Sequence, residues 1–235
     1  MEKVLITGGN RGLGYELVKV FYENNYEVFT VVRTDEAAEK IKHEFKQKCH
    51  PIVADLRFDD SKEKIKSALD MLTNEIDIII NNAGIPGREY EIEKVTTEEI
   101  EELLNIHCLG VIRSVQSTLG FLKNSANPRI INISSRLGSL SKMSSGEFSN
   151  RKFSYSYRIA KAAQNMFTIS LNNELQSQGI CVNAIHPGKL KTTSGSSDAD
   201  LIPSEAAMRI FNWVTNLKIS ESGSFTQPFV EDWSW

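Results

Sequence analysis

The sequence predicts a doubly wound α/β fold, and three observations support that class. Short β-branched runs alternate with longer segments of helical period along the 235 residues of the chain. The run at residues 76–80, Ile-Asp-Ile-Ile-Ile, is typical of strands that are buried between two layers of helices. A glycine-rich turn joins the first strand to the first helix. We therefore expect one domain, residues 1–235, with a mostly parallel seven-stranded sheet and helices on both faces.

The hydrophobic pattern places each element of this fold. The predicted strands cover residues 4–7, 27–32, 51–54, 77–80, 129–134, 180–185 and 225–230. The predicted helices cover residues 13–23, 35–48, 60–72, 97–122, 154–178 and 204–217. Two longer irregular segments, 138–154 and 189–203, follow strands at the sheet edge where such folds bind ligands. We expect both segments to shape a substrate site.

Composition and charge exclude two classes of protein. The chain has 27 Lys and Arg against 30 Asp and Glu, a formal net charge of -3, whereas nucleic-acid binders normally need a basic surface. No segment approaches the roughly eighteen uninterrupted apolar residues of a membrane span, and the first residues form no signal-peptide core. We expect no nucleic-acid partner, no membrane partner and a cytoplasmic location.

Cysteine and histidine spacing gives no sign of a disulfide framework or a metal site. Cys49, Cys108 and Cys181 are far apart and form no CxxC motif, so they are predicted to be reduced thiols. The histidines show neither HxxxH nor HExxH spacing. They are His43, His50, His107 and His186.

The glycine-rich turn predicts a phosphate-binding site. Glycine permits a tight turn and close backbone approach, while the start of the next helix offers unpaired N–H groups and a favourable dipole to a pyrophosphate. Its position in the first βα unit favours a dinucleotide over a turn without a ligand. The predicted contacts in the turn are Gly8, Asn10, Arg11, Gly12, Leu13 and Gly14.

The residue at the end of the second strand predicts which dinucleotide binds. Arg33 stands about 20 residues after the glycine turn, where an acidic residue would accept hydrogen bonds from the ribose of NAD. A guanidinium there pairs instead with a 2′-phosphate, and Arg11 is a second candidate for the same group. NADP is therefore the predicted cofactor and NAD the less favoured one. Asp35 leaves NAD use open, because a small loop shift would bring its carboxylate to the ribose.

Tyr157 and Lys161 form a candidate catalytic pair. They are four residues apart in a helical segment, so they share one helix face. The pKa of a free phenol is near 10, and we expect the nearby cation of Lys161 to lower it. Ser135 and Ser134 end the fifth predicted strand, and one of the two hydroxyls could bind a substrate carbonyl.

Several motifs follow one another along nearly the whole chain, and through them the sequence resembles the short-chain dehydrogenase/reductase family. They are the glycine turn, Asp55, the segment Asn82-Ala83-Gly84, Asn105, the Ser134-Ser135 pair, Tyr157 with Lys161, and Pro187-Gly188 followed by Thr192. Within the family, the chain is most similar to the carbonyl-reductase, sniffer and C-factor type branch. This resemblance implies a classical Rossmann fold.

The resemblance also implies a role for each matching residue. Asp55 and Leu56 should contact the adenine, and Asn82, Ala83 and Gly84 should line the cofactor. Among the catalytic residues, Ser135 rather than Ser134 should orient the carbonyl, and Asn105 should hold a water of the proton relay. The nicotinamide end of the cofactor should meet Pro187, Gly188 and Thr192, together with Tyr157 and Lys161.

The expected function is that of an NADP-dependent carbonyl reductase, in which Tyr157 transfers the proton. The substrate would be a small carbonyl or alcohol, and the family implies a possible homodimer or homotetramer. The alternative is an NADP-binding sensor of C-factor type with little turnover.

Met143, Phe148 and Phe153 either form an apolar wall of the substrate site or pack their segment onto the core. Three roles stay open for the C-terminal tryptophans: capping the core, closing the pocket or meeting a partner.

Overall fold

The fold is given by a computed structural model that describes residues 1–191, 199 and 201–235. The strands are β1 (Lys3–Thr7), β2 (Glu27–Val32), β3 (Cys49–Val53), β4 (Ile78–Asn81), β5 (Arg129–Ile133), β6 (Cys181–Ile185), β7 (Phe225–Gln227) and β8 (Glu231–Trp233). The helices are α1 (Gly12–Glu23), α2 (Asp35–Phe45), α3 (Ser61–Asp70), α4 (Thr97–Leu104), α5 (Gly110–Leu122), α6 (Leu140–Ser144), α7 (Tyr155–Leu175) and α8 (Pro203–Asn216).

The strands form one sheet in the order β3-β2-β1-β4-β5-β6-β7-β8. Neighbours from β3 to β7 are parallel, and β8 is antiparallel to β7. The predicted α/β class is confirmed, but the sheet has eight strands where the sequence predicted seven. The last predicted strand, 225–230, is divided because the chain turns back at Phe229, which has a φ of 60°. The following residues then pair with β7, with Thr226 opposite Asp232.

Apolar side chains cover both faces of the sheet and explain why the helices lie there. On one face, Leu17 of α1, Ile41 of α2 and Ile210 of α8 pack in one buried cluster. On the other, the buried cluster includes Ile65 of α3 and Leu175 of α7, together with side chains of α5. Because helices bury both faces, the strands are apolar on both sides, as the sequence predicted.

The strand order reverses between β1 and β4, which lie next to each other although two other strands separate them in the chain. The connections from these two strands leave in opposite directions, and a crevice opens at their carboxyl ends. This is the position that the glycine turn occupies, directly after β1.

The long predicted helix at 97–122 is interrupted. A π-helical turn, Asn105–Leu109, separates α4 from α5. Such wider turns insert extra backbone into a helix and are frequent at functional sites. Here the turn brings two consecutive residues, Ile106 and His107, to the large cavity described below.

The segment at 138–154 is more ordered than the sequence predicted. It contains α6, which begins after Ser139, whose hydroxyl accepts a hydrogen bond from the Lys142 N–H at 3.1 Å. Phe148 is buried and packs edge-on against Phe153, with ring centroids 5.7 Å apart. Part of the segment therefore packs as a small aromatic cluster of its own.

Within the described ranges, no helix is both long enough and apolar enough to cross a membrane. The same residues contain no group of three or more His, Cys, Asp or Glu side chains that could hold a metal ion. The cysteines are free thiols, with Cys49 and Cys181 buried and Cys108 partly buried.

Candidate active site

A cavity of about 1030 Å³ lies at the carboxyl ends of the strands. It collects most of the residues that the sequence singled out, from segments far apart in the chain. The predicted residues that line it are Gly8, Asn10, Arg11, Gly12, Leu13, Gly14, Arg33, Asp55, Leu56, Asn82, Ala83, Gly84, Ser135, Tyr157, Lys161, Pro187 and Gly188. Asn105 is not among the lining residues, and Thr192 lies outside the described residues.

The glycine turn is held against the end of β4 by polar contacts. The Thr7 hydroxyl accepts hydrogen bonds from the backbone N–H groups of Asn82 and Ala83, both at 3.0 Å. The Asn82 side-chain amide donates to the Thr7 carbonyl at 3.0 Å. A Cβ at Gly14 would lie 2.1 Å from the Gly8 carbonyl oxygen, so only glycine fits there. The turn is therefore tightly packed, with its backbone facing the cavity.

Arg11 and Arg33 are both exposed and both line the end of the cavity beside the glycine turn. Asp55 is close by, and its carboxylate accepts hydrogen bonds from the Arg57 guanidinium at 2.6 to 3.1 Å. These hydrogen bonds hold the pKa of Asp55 below its usual value, and the charge of Arg33 adds to the effect. Asp35, the first residue of α2, is not among the residues that line the cavity.

Tyr157 and Lys161 project from the first turns of α7 into the cavity. The Lys161 ammonium lies 5.7 Å from the centroid of the Tyr157 ring. It donates hydrogen bonds to the Ile133 carbonyl at 2.6 Å and to the Gln164 side chain at 3.0 Å. The end of β5 therefore fixes the lysine directly, and the lysine lies beside the tyrosine.

A buried polar chain fixes α7 over the sheet. The Asn81 amide donates to Asn132 at 2.8 Å, and the Asn132 amide donates to the Thr168 hydroxyl at 2.9 Å. The Thr168 hydroxyl then donates to the Gln164 carbonyl at 2.8 Å. Polar groups this deep in a core bond to specific partners, so they set the register of α7 against β4 and β5.

The pKa directions of the pair differ from the expectation. Burial raises the pKa of Tyr157 to about 12, and a hydrogen bond with Ser135 acts in the opposite direction. Burial also lowers the pKa of Lys161, to about 7. The sequence predicted that the cation of Lys161 would lower the pKa of the phenol. Desolvation dominates instead, because removal from water disfavours the charged form of both groups.

The two serines at the end of β5 have different partners. The Ser134 hydroxyl donates to the Asn165 side chain on α7 at 2.5 Å. The Ser135 hydroxyl accepts a hydrogen bond from the Leu137 N–H at 3.2 Å. Its hydrogen bond with the Tyr157 phenol acts to lower the pKa of that tyrosine. Ser134 therefore joins β5 to α7, whereas Ser135 is the serine associated with the tyrosine.

Asn105 makes contacts away from the lysine. Its side-chain amide donates to the Arg57 carbonyl at 3.1 Å, and its side-chain oxygen accepts from the Arg113 guanidinium at 2.7 Å. The side chain thus joins the π turn to the segment after β3. Its predicted place in a proton relay stays a prediction.

Two histidines that the sequence analysis left without a role line the cavity. His107 packs edge-on against Tyr157 with ring centroids 5.3 Å apart, and its Nε2 lies 2.8 Å from the Ile85 carbonyl. Burial and the charge of Lys161 lower the pKa of His107 well below its usual value. His186 lies at the end of β6, and burial lowers its pKa to about 3. The only sequence signal for either residue was its position next to a recognised motif, Asn105 or Pro187.

The C-terminal tryptophans cap the end of the sheet. Trp233 lies 4.9 Å from His186 and 5.5 Å from Phe225, measured between ring centroids. Trp235 stacks on the same phenylalanine at 5.4 Å. The Ser139 hydroxyl donates to the Ser234 carbonyl at 2.7 Å, so this end of the chain also supports the start of α6.

The fold and the cavity define a nucleotide-binding oxidoreductase of the α/β class: a glycine turn at the strand-order reversal and a Ser, Tyr and Lys set line the same cavity. The sequence profile of the short chain dehydrogenase family matches residues 2–200. The chain belongs to this family.

Individual relatives agree with that assignment. The chain is 30% identical to the C-signal protein of Myxococcus xanthus over 158 residues, which cover 67% of this chain and 92% of that protein. The NADPH-bound carbonyl reductase from chicken fatty liver superposes with a TM-score of 0.89 at 28% identity, covering 100% of this chain and 99% of the other. The carbonyl reductase Sniffer of D. melanogaster has a TM-score of 0.90 at 29% identity, with 100% of both chains covered.

Proposed function

We propose that the protein is an NADPH-dependent carbonyl reductase that converts a ketone or aldehyde to an alcohol. The observation that carries this proposal is that Ser135, Tyr157 and Lys161 line the same cavity as the glycine turn. The chicken and D. melanogaster relatives are both carbonyl reductases, which supports the same reaction.

The residues of the cavity fit a dinucleotide with a 2′-phosphate. The turn presents backbone where a Cβ at Gly14 would clash, so a pyrophosphate can approach the start of α1 closely. Arg11 and Arg33 lie at the same end of the cavity and would bind the 2′-phosphate. Asp55 is already engaged by Arg57, which leaves the nearby cations available to an anion. These contacts favour NADP over NAD.

A nicotinamide held beside Tyr157 and Lys161 would supply the hydride for the carbonyl carbon. Tyr157 donates its proton to the carbonyl oxygen, and its raised pKa keeps it protonated at neutral pH, before transfer to the more basic alkoxide. The Ser135 hydroxyl donates a hydrogen bond to the same oxygen and stabilises the charge that develops there. The products are the alcohol and the oxidised cofactor.

Lys161 positions the cofactor and remains close to the phenol. Two of its three N–H donors bind Ile133 and Gln164, so the third can reach a ribose hydroxyl. Pro187 and Gly188 lie on the same side of the cavity and would border the nicotinamide. We further propose that residues 1–235 act as one catalytic domain, because one sheet supplies both walls of the cavity.

The proposal is tested by following NADPH oxidation across a panel of aldehydes and ketones, with the wild type and with Tyr157→Phe. The variant keeps the ring and its contact with His107 but removes the proton donor. We expect kcat to fall by about 10² to 10⁴-fold with unchanged NADPH affinity. Tyr155→Phe is the matched control, since Tyr155 lies two residues away and does not line the cavity. Full activity in Tyr157→Phe would contradict the assignment of the proton donor.

A further inference from the structure

The substrate end of the cavity is cationic. Among the described residues that line the cavity, the single carboxylate is Asp55, at the opposite end and paired with Arg57. At the substrate end, beside Ser135 and the start of α7, the lining includes Arg136, Arg151 and Lys152. Lys152 forms an ion pair with Glu91 at 2.7 Å, outside the lining. Positive side chains on the wall of a cavity attract anionic ligands.

Two of these cations flank a pair of aromatic rings. The Arg136 guanidinium lies 5.4 Å from the centroid of the Phe148 ring, and Phe148 packs edge-on against Phe153 at 5.7 Å. The Arg151 guanidinium lies 5.3 Å from the Phe153 ring. Contact with a ring face positions a guanidinium without neutralising its charge. The Phe148 ring thus helps to hold Arg136 in place on the cavity wall without removing its charge.

Arg136 is the residue best placed to bind an anion. No described carboxylate lies within ion-pair distance of its guanidinium, and its N–H groups donate no hydrogen bond to a described residue. A ring contact uses none of the N–H donors, so the N–H fork of Arg136 can still bind a carboxylate through two bonds. Arg136 also directly follows Ser135, so an anion bound to it would lie on the same wall as the reacting carbonyl.

The same positive field reaches His186. After burial, the largest contribution that lowers the pKa of His186 comes from Arg136, followed by Lys189, Lys142 and Lys161. Of these cations, Arg136 and Lys161 line the cavity, whereas Lys142 is paired with Glu147 at 3.1 Å.

We infer that the substrate is a carbonyl compound that carries a carboxylate, and that Arg136 binds this carboxylate. The inference rests on the proposed reductase function and adds the chemical class of its substrate. Phe153 and Leu137 border the same region and supply an apolar surface for the carbon skeleton between the two groups.

The binding site is tested first without turnover, by calorimetric titration with benzoate and with benzamide, its uncharged analogue. The wild type is expected to bind benzoate at least about tenfold more tightly than benzamide, because hydrogen bonds to charged groups are the stronger ones. Arg136→Gln should abolish this difference. Arg136→Lys keeps the charge but loses the two-pronged N–H fork, so it should keep part of the affinity difference between benzoate and benzamide. It replaces the glutamine variant in the test if that variant does not fold.

Two further variants locate the bound anion. Arg209→Gln removes an exposed arginine of α8 that does not line the cavity, so it should leave benzoate binding unchanged. Arg33→Gln removes a cation at the other end of the cavity. Loss of benzoate binding in Arg33→Gln rather than in Arg136→Gln would overturn the assignment. Equal affinity of the wild type for benzoate and benzamide would overturn it too.

The substrate class is then tested with 4-carboxybenzaldehyde and its methyl ester in the presence of NADPH. The ratio of kcat/KM for the acid over the ester should exceed about ten in the wild type and approach one in Arg136→Gln. A wild-type ratio near one would refute the substrate class even if reduction proceeds. If benzoate binding depends on Arg136 but no carbonyl in the panel is reduced, the anion site stands and the reductase function fails.

Discussion

The two ends of the cavity are built in different ways. At the cofactor end, backbone forms the surface, and contacts between β1 and β4 hold it, such as the hydrogen bonds of Thr7 with Asn82 and Ala83. At the substrate end, side chains on short helices and turns form the surface, and contacts such as the Arg136–Phe148 pair hold them. Backbone packed against backbone tolerates no added atom, whereas a side-chain surface can change its chemistry while the fold persists. The cofactor end is thus suited to one ligand that all such proteins share, and the substrate end to a ligand that differs from one protein to the next.

The largest effect is expected from adding one methyl group to the backbone surface. In Gly14→Ala the new Cβ would lie 2.1 Å from the Gly8 carbonyl oxygen and 2.5 Å from the Asn82 side-chain amide. We expect the free energy of unfolding to fall by about 1–3 kcal/mol and kcat/KM to fall by roughly 100-fold. Denaturant unfolding and NADPH-dependent kinetics measure the two effects.

Gly120→Ala is the matched control for this change. A Cβ at Gly120 in α5 meets nothing within 4 Å. Alanine favours the helix there, so stability should rise by up to about 1 kcal/mol with unchanged activity. If Gly14→Ala and Gly120→Ala had similar free energies of unfolding, the turn would have room for a Cβ at Gly14, and the predicted clash would be wrong.

A second effect concerns a side chain at the cofactor end. Arg33→Ala removes a cation from the cavity, and we expect the Kd for NADPH to rise about 10- to 100-fold while NADH binding changes little. Fluorescence titration with both dinucleotides measures this preference. Asp35→Ala is the control, because Asp35 does not line the cavity. If the wild type prefers NADH and Asp35→Ala removes that preference, the ribose contact belongs to the aspartate instead.

A third effect depends on pH and concerns His186. The pKa of this histidine is about 3 in the folded chain, below the value of about 6.5 expected after unfolding. Between these values the unfolded chain binds a proton that the folded chain does not. The free energy of unfolding should therefore fall as the pH drops below about 6.5, by up to about 1.4 kcal/mol per pH unit from this residue.

His186→Gln should make that pH dependence shallower, measured by denaturant unfolding between pH 7 and pH 5. His43→Gln, which removes an exposed histidine, should leave the slope unchanged. If both variants follow the wild-type curve, then His186 titrates normally and is not held neutral by its surroundings.

The smallest effect is expected at the rim of the substrate end. Lys152 forms an ion pair with Glu91 at 2.7 Å, but both side chains are largely exposed. Lys152→Gln should leave the denaturant midpoint of unfolding almost unchanged, because solvent screens such pairs. A fall of that midpoint as large as the one measured for Gly14→Ala would mean that the rim is as rigid as the glycine turn.

The alternation of strands and helices was readable from the sequence because burial on both sheet faces leaves a local trace in each strand. The glycine turn and the Tyr157–Lys161 spacing were also readable, because the geometry of each is set within a few residues of the chain. The π turn after α4 was not readable, because an added backbone residue leaves the helical pattern of 97–122 intact. The eighth strand was also missed, since β8 is three residues long and is defined by its pairing with β7.

By itself, the sequence determined the fold class and the family resemblance, and most of the site residues that it predicted line the cavity. Only the tertiary structure decided which groups share an environment. It brought Arg136 to the Phe148 ring and Arg151 to the Phe153 ring, and it packed His107 against Tyr157. It also reversed the expected pKa direction of the tyrosine. The reason is physical: periodicity and turn chemistry act between neighbours in the chain, whereas desolvation and charge depend on neighbours in space.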